Sequence, residues 1–429
     1  MNSILIISPN FPPVNAPDMH RVRHNVNFLE DLGWMPTVVC VEEKYNESSI
    51  DPILIDTVPK NIKVVKVSAF PANITRKIGL GALALRSLLF YFFKVNQLLK
   101  TTKFDLIFFS TTQFPVLILG RYWNWKYKVP YIIDMQDPWH SEYYKTRPKN
   151  EHPPKYWFSY HLNRILEPIA MKKAAGIISV SKGYCEQLQG RYKNITPNNC
   201  TVIPFGAFEK DFEISKSLNY VNLPNSTSKL QMLYIGRGGI DMQLSLKIIF
   251  RAWLLGLKKH SDLFNKIEWQ CIGTSYAPGT LGTPSIVPIA MEFGLDEYIM
   301  EQTERIPYFD SITRLQSADL LLIPGSIDPN YTASKIYPYI LSKKPILAVF
   351  SETSSIIEVL KNTEAGDYVS FNPSNYNIED LALQLYEKWL NIIQKLPYSP
   401  PTKWQNFEKY TAREMTKKQV VFFEKILNS

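Results

Sequence analysis

The chain alternates short apolar runs, rich in β-branched residues, with stretches of helical periodicity. SILIISP (residues 3–9) reads as a strand, HRVRHNVNFLEDLGW (20–34) as an amphipathic helix stopped by Gly33, and PTVVCVE (36–42) as the next strand. KFDLIFFST (103–111), VPYIIDM (129–135), AAGIISVS (174–181) and NCTVIPF (199–205) continue the series. These runs are continuously apolar rather than alternating, the pattern of strands covered on both faces in a parallel sheet. A polar, strand-poor stretch, SKSLNYVNLPNSTSK (215–229), reads as a linker. A second series follows: LQMLYIG (230–236), KIEWQCIG (266–273), ADLLLIPG (318–325) and KPILAVF (344–350), interleaved with helical patterns such as LSLKIIFRAWLLGLKK (244–259). Two such series predict two doubly wound, Rossmann-like α/β domains, residues 1–214 and 215–406, facing a central cleft. The helical segment 407–429 has no strand after it and is expected to cross the domain boundary, part of it packing on the first domain.

Composition narrows the class. With 45% hydrophobic and 20% charged residues among 429, the chain is globular rather than disordered. The four cysteines are scattered without a CxxC pair, which argues against a zinc site or a disulfide scaffold and fits a reducing compartment. The apolar start lacks a basic region and a cleavage site, so it reads as a strand and not as a signal peptide. The most apolar segment, GLGALALRSLLFYFFKVNQLL (79–99), is interrupted by Arg86 and Lys94 and falls short of a membrane span. It reads either as a buried helix or as one lying on an anionic bilayer, flanked by Arg76, Lys77, Lys100 and Lys103. The expected location is cytoplasmic, peripheral at the inner face of the membrane in the second case. The net charge of +9 is uneven: residues 1–200 hold 25 Lys and Arg against 15 Asp and Glu, whereas the remainder is close to neutral. A basic first half suits an anionic partner, or is solvated surface lysine. No zinc-finger spacing, RNP-like motif or dense arginine cluster is present, so nucleic acid is not an expected partner.

In open parallel sheets ligands gather beyond the carboxyl ends of the strands, so the loops there carry the candidate chemistry. GRGGIDMQ (236–243) combines Gly236, Gly238 and Gly239, which let backbone N–H groups approach a phosphate, with Arg237, which can fork onto its oxygens. A tight strand-to-helix turn would use the same glycines. SIDPNYTASK (326–335) gathers Ser326, Asp328, Tyr331, Thr332 and Ser334 ahead of Lys335, an arrangement fit for a diphosphate or for simple helix capping. With Ser334 as N-cap, Pro338 falls in the first turn, where its missing N–H costs no intrahelical bond.

In the first half, SPNFPPVNAPDMHRVRH places His20, Arg21, Arg23 and His24 at a helix start. His20, Arg23 and His24 share one face and Arg21 points elsewhere. They read as contacts to an anionic acceptor or as surface cations. YIIDMQDPWHSEYY puts Asp137, Trp139 and His140 after a buried strand. A carboxylate beside an indole suits sugar binding, and Asp137 or His140 is a candidate general base; a turn cap ahead of Pro138 is the plainer alternative.

Taken in order, FPP, LEDLGW, PTVV, DLIFFST, VPYIIDMQDPW, AAGIISVSKG, VIPFG, YIGRGG, ERIPY, SADLLLIPGS and SKIYPYILSKKPILAV resemble the group 1 glycosyltransferases over about residues 3–370. That resemblance implies the GT-B fold and a retaining-type enzyme of bacterial polysaccharide or glycolipid synthesis. It further implies a nucleotide-sugar donor in the second domain and a glycan or lipid-linked acceptor in the first. It assigns the donor diphosphate to Arg237, with Lys335 or Lys247 standing in for a lysine that is Gln243 here. It assigns the base to the loop of Ile306 and Tyr308, and a place beside the acceptor to Asp137. Catalysis would rest on Asp137, Arg237 and Lys335 with no obligatory metal or other cofactor. Two glutamates usual in such enzymes are Asn330 and Pro338 here, leaving Asp328 as the nearest carboxylate and the stereochemical outcome open. A nucleotide-sugar epimerase or hydrolase on the same fold, and a non-catalytic subunit of a glycan assembly complex, are the alternatives.

Overall fold

A computed structural model describes residues 1–428 apart from 143–144, 146–151, 153–155, 219–228, 276–281 and 329–333. The chain forms two units, Met1–Gly206 with Ala412–Ser429, and Ala207–Thr411.

The first unit holds seven parallel strands: β1 (Asn2–Ile7), β2 (Trp34–Val41), β3 (Lys63–Val67), β4 (Leu106–Ser110), β5 (Tyr131–Met135), β6 (Gly176–Ser179) and β7 (Cys200–Val202). Their order is β3-β2-β1-β4-β5-β6-β7, so the direction of winding reverses between β1 and β4. The central strands are sealed on both faces, with Ile4, Leu5, Leu106, Ile107, Ile132 and Ile133 inaccessible to solvent. The sequence reading missed β3, whose KVVKV buries only Val67. An edge strand covered on one side carries no continuous apolar run.

The helix Leu83–Thr101 turns Tyr91 and Val95 inward and leaves Leu89 and Phe93 exposed. Its buried Arg86 donates to the carbonyls of Phe70 (2.8 Å), Tyr45 (2.9 Å) and Gly81 (3.1 Å). The arginine that interrupts the apolar segment thus ties down the preceding loops. Among the described residues no helix is long and apolar enough to cross a membrane.

The helix Ala412–Leu427 belongs to the first unit. Its Phe423 ring packs edge-on against Trp34 (5.5 Å between centroids) and lies 5.2 Å from Phe108. Asn25 Nδ2 donates to Gln419 Oε1 (2.6 Å) and Thr416 Oγ1 to Asn25 Oδ1 (2.9 Å), both buried. Gly176 on β6 makes room for this helix, since a Cβ there would meet the Phe422 ring at 2.9 Å.

The second unit holds six parallel strands: β8 (Leu230–Ile235), β9 (Ile267–Ile272), β10 (Ile299–Gln302), β11 (Leu320–Pro324), β12 (Ile346–Ser351) and β13 (Asp367–Phe371), ordered β10-β9-β8-β11-β12-β13. The two strands absent from the sequence reading, β10 and β13, are again the edges. The winding reverses between β8 and β11. The helices Gln243–Lys259 and Ile378–Lys395 cover one face, with Trp253 and Trp389 in an edge-to-face pair at 5.3 Å. The helix Glu209–Ser217 also sits with this sheet: Ser215 Oγ lies 3.0 Å from Thr313 Oγ1 and donates to Gln316 Oε1 (3.1 Å). Residues 215–217 are therefore helical rather than linker, and the chain changes unit at Ala207 rather than at 215.

In the first unit one ion pair ties the helix His20–Asn25 to two strand ends. Arg21 Nε donates to Asp134 Oδ2 on β5 (2.7 Å), and its Nη2 and Nη1 donate to the carbonyls of Ile203 (2.7 Å) and Pro204 (3.3 Å) just past β7. Both charged side chains are buried; the Arg21 guanidinium and Asp134 Oδ2 make further hydrogen bonds that help offset the desolvation, while Asp134 Oδ1 has no partner among the described residues. Arg21→Ala strands the Asp134 carboxylate and should destabilise the first unit by about 3–5 kcal/mol. Phe423→Ala should lower stability by a similar margin, about 3–5 kcal/mol, by opening a cavity between Trp34 and Phe108. Denaturant unfolding checks both; a wild-type midpoint in either variant contradicts the packing described.

Candidate functional site

In the second unit the reversal between β8 and β11 brings the loop from Gly236 to Met242 beside residues 325–328 and 334–335. Arg237 in the first is held by Asp241 through two parallel bonds, Nη1–Oδ1 at 2.9 Å and Nη2–Oδ2 at 2.7 Å. Ser326 in the second donates to the same carboxylate, and Ile327 N donates to the Asp241 carbonyl at 2.9 Å. Ser245 Oγ closes the contact by donating to Gly325 O (2.7 Å). Burial pulls the Asp241 carboxyl upward, but the bonds from Arg237 and Ser326 outweigh it and hold the group below the ordinary value. At neutral pH the pair Arg237–Asp241 therefore carries no net charge.

Lys335 brings a second cationic side chain to these loops. Its Nζ donates to Tyr234 Oη (3.1 Å) and sits over that ring, 4.9 Å from the centroid. Tyr234 Oη in turn donates to the Arg237 carbonyl (2.8 Å). A Cβ on Gly236 would come within 1.9 Å of Lys335 Nζ, so the ammonium is lodged against the bare backbone of the glycine loop. Tyr339 fastens the lysine's helix to the end of β8: its hydroxyl accepts from Ile235 N (2.7 Å) and donates to Ile235 O (3.1 Å). That helix is Ile336–Leu341, so Lys335 and not Ser334 precedes its first residue, and Pro338 still lies in the first turn. Ser334 contributes its carbonyl to Tyr337 N (3.3 Å). The backbone N of the exposed Asp328 donates to Ser326 Oγ (2.9 Å). Tyr331, Thr332 and Asn330 lie outside the described residues.

The other glycines serve close packing as well. A Cβ on Gly238 would lie 1.9 Å from Ser285 Oγ, and one on Gly239 would lie 2.7 Å from Asp241 Oδ1. The Ser285 hydroxyl is buried with no hydrogen-bond partner among the described residues. Its loop is pinned by Glu301 on β10, which accepts from Thr274 Oγ1 (2.7 Å) and from the backbone N of Ser285 (2.9 Å), Ile286 (3.0 Å) and Val287 (2.8 Å). Ile306 is half-buried against the core, and Tyr308 is fixed by donating to the buried Asp211 (2.6 Å). Lys247, the other candidate lysine, lines a separate recess with Arg251, Glu292 and Glu379. Tyr234, Asp241, Ser285 and Glu301 were not singled out in the sequence. Asp241 stood four residues past Arg237, which was the available signal; Glu301 lay on an unrecognised edge strand.

In the first unit the loops after β1, β4 and β5 form one buried polar cluster. Asp18 accepts from Asn10 Nδ2 (2.8 Å), Thr111 Oγ1 (2.8 Å) and Thr112 N (3.1 Å). Gln136 Nε2 reaches Asp134 Oδ2 (2.8 Å), Ser110 Oγ (3.0 Å) and the Asp18 carbonyl (3.2 Å). Asp137 follows directly and is open to solvent. Surrounding protein that displaces hydration, and secondarily the like charge of Asp18, push its carboxyl up to about 6.

Four expected acceptor contacts are placed differently. Arg21 is consumed by the buried ion pair with Asp134 and by two carbonyls. Trp139 is buried, stacked on Phe114 (5.4 Å) and donating to Asn163 Oδ1 (3.1 Å), so its faces are not available to a sugar. His20 and His24 flank Arg23, whose Nη2 lies 3.1 Å from His20 Nδ1 and 2.7 Å from His24 Nε2. Burial and then the Arg23 charge hold both imidazoles well below their ordinary value, so they are neutral at pH 7 and offer no cation to an anion. The shared face read for His20, Arg23 and His24 is real, but its purpose is mutual. His140 belongs to a network on the fully buried Glu167, which accepts from His140 N (2.8 Å), Arg191 Nη1 (2.7 Å) and Tyr192 Oη (2.7 Å). Burial lowers the His140 imidazole as well, against the pull of Glu167.

Residues 21–207 match the family described as Glycosyltransferase Family 4. Comparison with curated protein sequences finds no match. Among solved structures, HepE from Anabaena in complex with UDP and glucose is 12% identical with a TM-score of 0.56, covering 98% of this chain and 99% of that one. A glycosyltransferase from Rickettsia africae ESF-5 is 15% identical with a TM-score of 0.58, over 100% and 99%. The UDP-forming α,α-trehalose-phosphate synthase from Burkholderia xenovorans, solved with glucose-6-phosphate, is 11% identical with a TM-score of 0.59, over 99% and 100%. The two parallel sheets and these likenesses give the chain the GT-B fold, and the match over residues 21–207 supports a glycosyltransferase.

Proposed function

We propose that the protein transfers a sugar from a nucleoside diphosphate sugar, held by the second unit, to a glycan or lipid-linked acceptor held by the first. The carrying observation is the lodging of the Lys335 ammonium against the Gly236–Gly239 loop at the reversal between β8 and β11. A diphosphate laid on bare glycine backbone meets the lysine at once, with the Arg237 guanidinium on the same loop already oriented by Asp241. The buried hydroxyl of Ser285, facing Gly238, is an additional donor. Ile306 and Tyr308 are assigned to the base, and Asp328 with Ser334 and the 329–333 segment to the sugar. The likeness to an enzyme crystallised with UDP and glucose supports this donor class.

In the reaction the acceptor hydroxyl attacks the anomeric carbon and the bond from that carbon to the diphosphate oxygen breaks. The negative charge leaves with the diphosphate, where Lys335 stabilises it. The hydroxyl proton passes to Asp137, whose raised carboxyl is ionised at neutral pH and more basic than an ordinary aspartate. Positioning of both substrates supplies the rest. Placement in cell-surface polysaccharide or glycolipid synthesis, at the inner face of a membrane, fits a basic first unit.

Lys335→Ala and Arg237→Ala should each weaken UDP binding by more than about tenfold, equivalent to about 1.4 kcal/mol, in protein that still unfolds cooperatively. Calorimetry with UDP and UDP-glucose reads this, and wild-type affinity in both variants would refute the donor site. Donor-only incubation that consumes the nucleotide sugar as fast as incubation with acceptor would favour hydrolysis or epimerisation over transfer. With Asp137 as base, kcat/KM should fall as pH drops through about 6, and Asp137→Asn should abolish that limb together with most of the rate. The raised carboxyl binds its proton more tightly folded than unfolded, so its contribution to stability is full below about pH 4 and is lost as pH rises to about 6. Relative to wild type, Asp137→Asn should therefore be more stable at pH 8 than at pH 4, read as a difference in Tm.

A further inference from the structure

Between Pro71 and Ile133 the chain has nine Lys and Arg and a single acid, Asp105. This stretch accounts for most of the basic excess of the first half, and only Arg86 among the nine is spent inside the fold. The same stretch carries apolar side chains on the surface. Leu89 (53% exposed) and Phe93 (67%) stand one turn apart on the outer face of the helix Leu83–Thr101, and Trp125 (69%) stands on the helix Ile118–Tyr127. These are not scattered residues. Phe93 touches Phe92 (5.4 Å between centroids), Phe92 touches Tyr122 (5.0 Å) and Tyr122 touches Trp125 (6.0 Å), a continuous aromatic track across two helices. Beside Trp125 the track opens into a shallow groove whose lining includes Arg121, Lys128, Ile169 and Lys173. Ile165 (63% exposed), Ile169 and Lys173 continue it at helical spacing.

We propose that this face of the first unit docks on an anionic lipid bilayer. Phe93, Leu89 and Trp125 enter the headgroup–acyl boundary, and Arg121, Lys128 and Lys173 bind lipid phosphates in the groove. Exposed aromatics within a field of cations, with no carboxylate on the two helices to repel phosphate, match an interface that is apolar below and negatively charged at its surface. A protein partner would be expected to meet charges of both signs, whereas the helix Ile118–Tyr127 presents none that are negative. The inference rests on the reading that the acceptor or its carrier is membrane-bound, but it is tested without donor or acceptor, so the two can fail separately.

Flotation of the full chain with vesicles of phosphatidylcholine containing about one third phosphatidylglycerol should carry the protein to the top, with little retention by phosphatidylcholine alone. The triple charge reversal Arg121→Glu, Lys128→Glu, Lys173→Glu and the double change Phe93→Ser, Trp125→Ser should each reduce binding by more than about tenfold. Because all five positions are at the surface, Tm should not move. Trp125→Phe, which keeps the shape of the face, should remove most of the fluorescence quenching by brominated acyl chains. Equal retention on neutral and anionic vesicles, undiminished binding by the variants, or unchanged quenching in Trp125→Phe would each overturn the proposal. Self-association in place of vesicle binding would overturn it as well.

Discussion

The ammonium of Lys335 occupies the space that any side chain at position 236 would need. The contacts around it tie the loop after β8 to the lysine's helix. The ammonium rests against Gly236, Tyr234 presents its hydroxyl and ring to it, and Tyr339 binds the lysine's helix to the end of β8. Neither loop does this alone. The sheet order makes β8 and β11 neighbours, so two segments about ninety residues apart in sequence meet at the point where open α/β sheets leave a crevice. Asp241 both neutralises Arg237 and orients it beside the lysine.

The first unit solves the corresponding problem with buried polar groups rather than a lodged cation. Asp18, Asp134 and Gln136 lock the loops after β1, β4 and β5 into one hydrogen-bonded body. Such clusters specify a conformation when their members are satisfied, and the fixed loops here end in an open carboxylate, Asp137. The pressure that lifts Asp137 comes from the surrounding protein and Asp18, so its proton affinity is a property of the locked loops and not of the residue alone.

Much of this was legible in the chain. The central strands were readable because they are covered on both faces, and the same reason hid β3, β10 and β13, edges whose residues alternate with solvent. Arg237, Lys335 and the glycines were readable because a loop after a buried strand restricts where its side chains can go. What failed was the allocation of polar residues between work inside the fold and work at its surface. Arg21 and Trp139 are residue types that suit a sugar phosphate, and nothing local in the sequence says that Asp134 and Phe114 already claim them. Those partners lie up to 113 residues away, and a long-range contact leaves no trace in a window of ten. The surface track from Phe93 to Trp125 was half legible: the apolar helix was evident, its outward face was not.

The helix Ala412–Leu427 closes the first unit, where Phe422 and Phe423 fill space against Gly176, Trp34 and Phe108. The ribosome makes that sheet first and its last covering piece some two hundred residues later. Residues 207–411, contiguous in the chain, can complete their own core during translation, whereas Trp34 and Phe108 must wait uncovered until the final turns emerge. Between those moments the nascent chain carries exposed aromatic surface, the kind of transient state from which larger chains aggregate.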